Sequence, residues 1–398
     1  MLSSANHRKL IILVFFMMLI FGITGNLRGQ IGPLLQQDYQ INHSKLGFVL
    51  GCISIGGIIA NFLSGVLIQI FNLKKVLIAG ILLSIIGFIW LNYISQYYLL
   101  IIVILTIGIG LGVLNISINT LASEVFTKNK GKMNNRLHLF FGIGGVITPF
   151  YANAILGFGF EWEMIYTFSI ILVSAILIFT IFSKFPEKEK AGVKQEEKKD
   201  ISFRGVLKDA RVGIFALMFL ANGGGELGVV TWLILYLKEI QGRTEIEAGF
   251  YFSLFFILFS TGRFLASIIV ERIGYLRLVF ISAIGSLISV LLGILGPDSF
   301  AIFFAISGLF IATHFPTMQA TMFEIFDNNL PTIIGLTMTT GSIGAILLGN
   351  LFIGFFNDLF GIKVGYGIVL LYFLLLAGLI IYLNTRYLDK ESRGVVTT

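Results

Sequence analysis

Two ionisable side chains stand in stretches that are otherwise apolar. Glu226 lies in A-N-G-G-G-E-L-G-V-V-T-W-L-I-L-Y, residues 221–236, and Arg28 lies in N-L-R-G-Q-I-G-P-L-L, residues 26–35. A full charge near the centre of a bilayer costs several kcal/mol, so such residues face a cavity, a partner or a permeation path. Glu226 can act as a coupling acid, because a carboxyl sheltered from water can pass between neutral and charged forms as its surroundings change. It can equally accept hydrogen bonds from solute hydroxyls, and a fixed structural pair with an arginine is the plain alternative. Arg28 is flanked by Gly25, Gly29 and Gly32, which allow a helix or a ligand to come close. Pairing with Glu226, binding an anion outright and snorkelling to the outer surface are its three readings.

Uncharged groups extend the set. Asn115 and Asn119 are four residues apart and share one helix face, which Ser123 continues; amides facing a cavity offer both donors and acceptors to a hydroxylated solute. Asn26, Gln30, Asn222 and Thr231 are weaker candidates of the same kind, with interhelical hydrogen bonding as the alternative. Trp232 can stack on a sugar ring or pack near the outer interface. His314, just before F-P-T, can titrate near neutral pH or sit neutral and hydrogen-bonded, and both proton coupling and solute binding are open to it. Arg263, in T-G-R-F, is expected to join Glu271, Arg272 and Gln69 in a cytoplasmic gate. The chain has no H-E-x-x-H, no G-x-S-x-G and no G-x-x-x-x-G-K, and its four histidines are scattered. Catalytic residues, a metal site and a cofactor are therefore not expected.

These residues must be positioned by membrane helices. The chain has 398 residues, 56% hydrophobic and 12% charged, with mean hydropathy +0.92, more apolar surface than a soluble fold of this length can bury. Its apolar runs last about 20 residues and do not alternate, which predicts helices rather than a barrel. Twelve spans are expected, at residues 9–37, 44–71, 75–95, 97–126, 133–157, 162–183, 211–237, 245–273, 276–296, 299–326, 332–360 and 364–386. The first, with no small-residue cleavage site, reads as a permanent helix and not a signal peptide. Cys52 is the one cysteine, so a disulfide is excluded and packing is its expected role.

Charge tests the count independently. With both termini in the cytoplasm, inner segments hold 22 Lys and Arg and outer loops 4, as the positive-inside rule requires. The net charge of +7 therefore reflects topology and not nucleic-acid binding. The highly charged stretch 184–210 reads as a cytoplasmic linker between an N-terminal six-helix bundle, 1–183, and a C-terminal one with a cytoplasmic tail, 211–398. The halves echo each other: S-E-V-F from Ser123 and F-E-I-F from Phe323 both close fourth spans, and G-V-L-I-Q-I-F-N-L-K-K from Gly65 matches S-I-I-V-E-R-I-G-Y-L-R from Ser267.

Two parallel six-helix repeats resemble the duplicated architecture of the major facilitator superfamily. The Gly65 segment looks like a decayed form of that superfamily's loop motif, Gly-x-x-x-Asp-Arg-x-Gly-Arg-Lys, with Gln69 at the acid; the second copy keeps Glu271, Arg272 and Gly274. Within the superfamily the chain is similar to the fucose:proton symporter group and related sugar carriers, through the stretches from Asn26, Leu137 and Gly224 and the F-P-T at Phe315. The fucose carriers place acids where this chain has Gly29 beside Arg28, and Asn115, so their proton relay does not transfer; the acid that aligns is Glu226. The resemblance implies import of a small hydroxylated solute, a monosaccharide, with a co-transported proton or sodium, by a monomer in the inner or plasma membrane. A proton-coupled exporter of drugs or other amphipathic compounds, and an organic-anion carrier, are the alternatives.

Overall fold

The computed structural model describes residues 4–127, 130–185, 208–326 and 330–388. Among the described residues, twelve helices are long and apolar enough to cross a membrane, matching the expected twelve spans. In hydrocarbon every backbone N–H and C=O must be satisfied within the protein, and a helix does this inside its own segment whatever the sequence's intrinsic preference. In chain order they are α1 (Ser4–Asp38), α2 (His43–Phe71), α3 (Leu73–Leu91), α4 (Tyr97–Val125), α5 (Lys130–Gly157), α6 (Glu163–Phe182), α7 (Ala210–Gln241), α8 (Glu245–Ile273), α9 (Tyr275–Leu295), α10 (Ala301–Ile325), α11 and α12. The last two are composite. Helix α11 runs through Leu330–Gly344, a π-helical stretch Ala345–Phe352 and Ile353–Phe360, and α12 through Ile362–Gly367 and Val369–Leu383.

Turn chemistry sets the boundaries. The Asn42 side chain accepts from Lys45 N at the start of α2, and Asn72, with φ at +76°, ends α2 and accepts from Lys75 N to start α3. Asp209 caps α7 by accepting from Arg211 N, and Gly242 closes it in the left-handed region.

Contacts divide the chain into two compact units, Met1–Ala191 with Arg243–Phe256, and Gly192–Gly242 with Ile257–Thr398. Residues 186–207 of the expected linker lie outside the described residues. In the first unit α1 packs on α5, α2 and α3 pack on α4, and α3 packs on α6. In the second, α7 packs on α11 and α12, and α9 packs on α10 and α12. The tightest crossings are made backbone to backbone. A Cβ on Gly144 would stand 2.7 Å from Gly22 Cα, and a Cβ on Gly344 would overlap the carbonyl of Leu220. Such approaches suit a membrane, where close dispersion contact takes the place of a hydrophobic driving force between helices.

Candidate functional site

The glycines preceding Glu226 bring α7 hard against its neighbours: Gly224 lies under the Tyr372 ring and Gly225 under the Phe373 ring, both on α12. That packing fixes the rotation of α7 and sets the acid's direction. Glu226 is half-buried. One turn earlier, Asn222 donates from Nδ2 to Glu226 Oε2 at 3.5 Å, and its Oδ1 meets His314 Nδ1 on α10 at 3.0 Å. His314 Nε2 in turn meets Ser286 Oγ on α9 at 3.4 Å, and the imidazole stands edge-on to Phe373. His314 and Ser286 are both fully enclosed, at 0% exposure. Beside them Thr313 donates to Ser282 Oγ at 2.7 Å, a second polar tie between α9 and α10.

Arg263 departs from expectation. The sequence groups it with Glu271 and Arg272, but those two are exposed near the end of α8, about two turns further on. Arg263 instead lies within the electrostatic reach of Glu226, its guanidinium 4.6 Å from the Phe259 ring centroid and its Nε without a hydrogen-bond partner. A half-buried cation gains more from a carboxylate and a ring face than it can from an exposed, hydrated cluster. The side chain of Gln69, the remaining gate residue, lies outside the described residues. In the first unit the corresponding loop is held by Lys74, whose Nζ donates to the carbonyls of Ile181 and Ser183 at the end of α6 at 2.8 and 2.9 Å.

Two residues in the second half of α7, Thr231 and Trp232, turn out to hold helices together. Trp232 is fully buried and donates from Nε1 to Gly349 O at 2.9 Å, and Thr231 donates to Asn350 Oδ1 at 3.0 Å. Both bonds fall on the π-helical stretch of α11, whose wider turns re-aim backbone and side-chain groups. The indole therefore has no open face for a sugar ring.

In the first unit Arg28 is half-buried and donates from Nη1 to Ser54 Oγ on α2 at 3.4 Å. Asn26 is buried and bonds back to Gly22 O at 2.7 Å, the usual way for a polar side chain to satisfy itself within a helix. Gln30, 1% exposed, donates to Asn153 Oδ1 on α5 at 3.1 Å, and its Oε1 is a buried acceptor without a protein partner. Asn115 and Asn119 share a face as their spacing predicts; Asn119 Nδ2 donates to Asn115 Oδ1 at 3.0 Å and to its carbonyl at 2.9 Å. Asn153 and Ser286 were not singled out from sequence. Asn153 could have been, as an amide in an apolar run; Ser286 could not, because a serine within a helix is unremarkable.

The profile of the Major Facilitator Superfamily matches residues 10–347 and 232–396. The chain belongs to the major facilitator superfamily. It is a multi-pass membrane transporter of small molecules and not an enzyme. Among similar proteins, the TsgA homolog of Buchnera aphidicola subsp. Schizaphis graminum is 25% identical, the match covering 87% of this chain and 88% of the relative. Among solved structures, a variant of the nucleoside transporter NupG superposes with a TM-score of 0.80 at 16% identity, over 95% of this chain and 99% of that one. A variant of the E. coli fucose:proton symporter FucP superposes with a TM-score of 0.63 at 19% identity, over 94% and 98%. The superfamily resemblance read from the sequence thus stands.

Proposed function

We propose that this transporter imports a small hydroxylated solute, a monosaccharide, by proton symport with alternating access, and that Glu226 is the coupling acid. The observation behind this is a half-buried carboxyl midway along α7, within electrostatic reach of a half-buried arginine and at the end of a file of polar side chains. A group so placed can be charged or neutral according to what stands beside it, which is what coupling to a proton requires. Asn115, Asn119, Gln30 and Asn153 supply the uncharged donors and acceptors that hydroxyl groups need, and the unpartnered Oε1 of Gln30 is free to accept from one. His314, buried and satisfied, acts on Glu226 through Asn222 and does not touch solute. FucP is a fucose:proton symporter and NupG a nucleoside transporter, and both kinds of solute carry sugar hydroxyls. The excess of basic residues in the segments on one side supports a reading with both termini in the cytoplasm and the protein in the inner or plasma membrane.

The test is uptake of a panel of labelled monosaccharides and nucleosides into proteoliposomes, with and without an inward proton gradient, and with sodium in a separate arm. Accumulation that needs the proton gradient, lost in Glu226→Gln while exchange down a gradient persists, is expected. Uphill uptake unchanged in that variant rejects the coupling role, and accumulation driven by sodium alone rejects the proton.

A further inference from the structure

Resting on the coupling role proposed for Glu226, a second question is what sets the pH at which that acid takes up its proton. Four polar side chains of the second unit stand end to end: Ser286 on α9, His314 on α10, then Asn222 and Glu226 on α7, with contacts of 3.4, 3.0 and 3.5 Å. Ser286, His314 and Asn222 are at most 3% exposed, so bulk water does not compete for these bonds.

The direction of the file is fixed by chemistry. An ionised carboxylate only accepts, so Asn222 must present its NH2 to Glu226. This turns Asn222 Oδ1 towards His314, whose Nδ1 must then carry the ring's hydrogen. Nε2 faces the Ser286 hydroxyl, and a ring N–H also bonds the Ser282 carbonyl one turn earlier on α9, so α9 holds the imidazole at two points. The donors of His314 and Asn222 therefore point towards Glu226, and each link holds the next in the orientation that suits a charged acid. An amide left alone could turn over and present its oxygen; His314, locked by Ser286, prevents that.

We propose that Asn222 is a positioning residue for the coupling step: held by the Ser286–His314 file, it keeps a donor on Glu226 and thereby sets the acid's proton affinity. Of the ionisable groups on the helices packed here, Arg263 on α8 reaches Glu226 by charge, His314 on α10 meets it through Asn222, and Tyr372 on α12 packs against Gly224 two residues before it. The stretch of α11 beside the acid, residues 341–353, has no ionisable side chain. Arg263 acts through charge alone and stays in place when the file is cut, so the contribution of the file can be separated from it.

The experiment follows the carboxyl band of Glu226 by infrared difference spectroscopy of the full-length protein in lipid, across roughly pH 4 to 10, with Glu226→Gln assigning the band. In Asn222→Leu the midpoint of protonation is expected to rise by about one pH unit, the loss of one hydrogen bond to a charged acceptor. Ser286→Ala, two links away and mild enough to leave the helices intact, is expected to move it the same way by a smaller amount. That smaller shift is expected to vanish in the Asn222→Leu background, because Ser286 has no other route to the acid. A midpoint unmoved in Asn222→Leu overturns the inference while leaving Glu226 as the coupling acid. A Ser286→Ala shift that persists in the Asn222→Leu background also overturns it. If no band titrates in the wild type, both this inference and the coupling role fall.

Discussion

The two halves of this transporter use one scaffold for two different interiors. Gly22 on α1 meets Gly144 on α5, and about two hundred residues later Gly223 and Gly344 bring α7 and α11 together in the same backbone-to-backbone manner. At this offset of 201, Glu226 corresponds to Gly25 and Asn222 to Phe21, while His314 falls on Val113 or Leu114. Ser286 has a serine near its counterpart, Ser84, but that hydroxyl bonds back to Gly80 O within its own helix and reaches nothing else. The first unit instead offers amides: Asn115 with Asn119, and Gln30 with Asn153. Duplication conserved the places where helices touch, because those are backbone constraints that few residues satisfy. It left the interior side chains free to diverge, so that an acid, an arginine and a histidine gathered in the second unit, and two pairs of amides with a single arginine, Arg28, in the first.

The comparison can be broken most severely at the shared crossings. Gly22→Leu and Gly344→Leu should each prevent folding, since a side chain there meets main chain that cannot yield; overpacking costs about 1–3 kcal/mol where side chains can move aside, and more here. Expression and size-exclusion profiles of the two variants should fail together, and tolerance of either one would show that the halves are not equivalent. Next in size, Arg263→Leu should lower proton-driven uptake by about tenfold or more, because removing the cation leaves the half-buried carboxylate of Glu226 without the charge that balances it. A double variant with Glu226→Gln should be no worse than Glu226→Gln alone. In the first unit Asn119→Ala should weaken solute affinity by about two- to tenfold, the worth of one uncharged hydrogen bond, and leave the pH profile of uptake unchanged. A shifted pH profile in that variant would mean that charge is sensed in both halves. Smallest of all, Ser84→Ala should change neither uptake nor its pH dependence, and should alter thermal stability by less than about 1 kcal/mol.

Several of these residues could be found without coordinates because the membrane makes them conspicuous. A carboxyl in an apolar run is rare enough that Glu226 stands out, and a four-residue spacing puts Asn115 and Asn119 on one face of any helix. Partners were harder to find. Arg263 was read with Glu271 and Arg272, its neighbours in sequence, whereas its electrostatic partner lies on another helix, 37 positions earlier. Trp232 suits both a sugar site and a packed interior, and only the neighbouring π-helical stretch of α11 decides between them. The tie from His314 to Asn222 spans 92 positions, and no periodicity in either segment points to the other.

By itself the sequence determined that the chain crosses a membrane as twelve helices, because its apolar runs are long enough to span hydrocarbon, where a helix closes its own backbone bonds. It also determined that the chain is a duplication, and which polar residues lie deep. Only the tertiary structure decided which of those residues meet. That depends on the rotation of each helix about its own axis, and the rotation is set by which glycine faces which backbone, a contact between positions far apart in the chain.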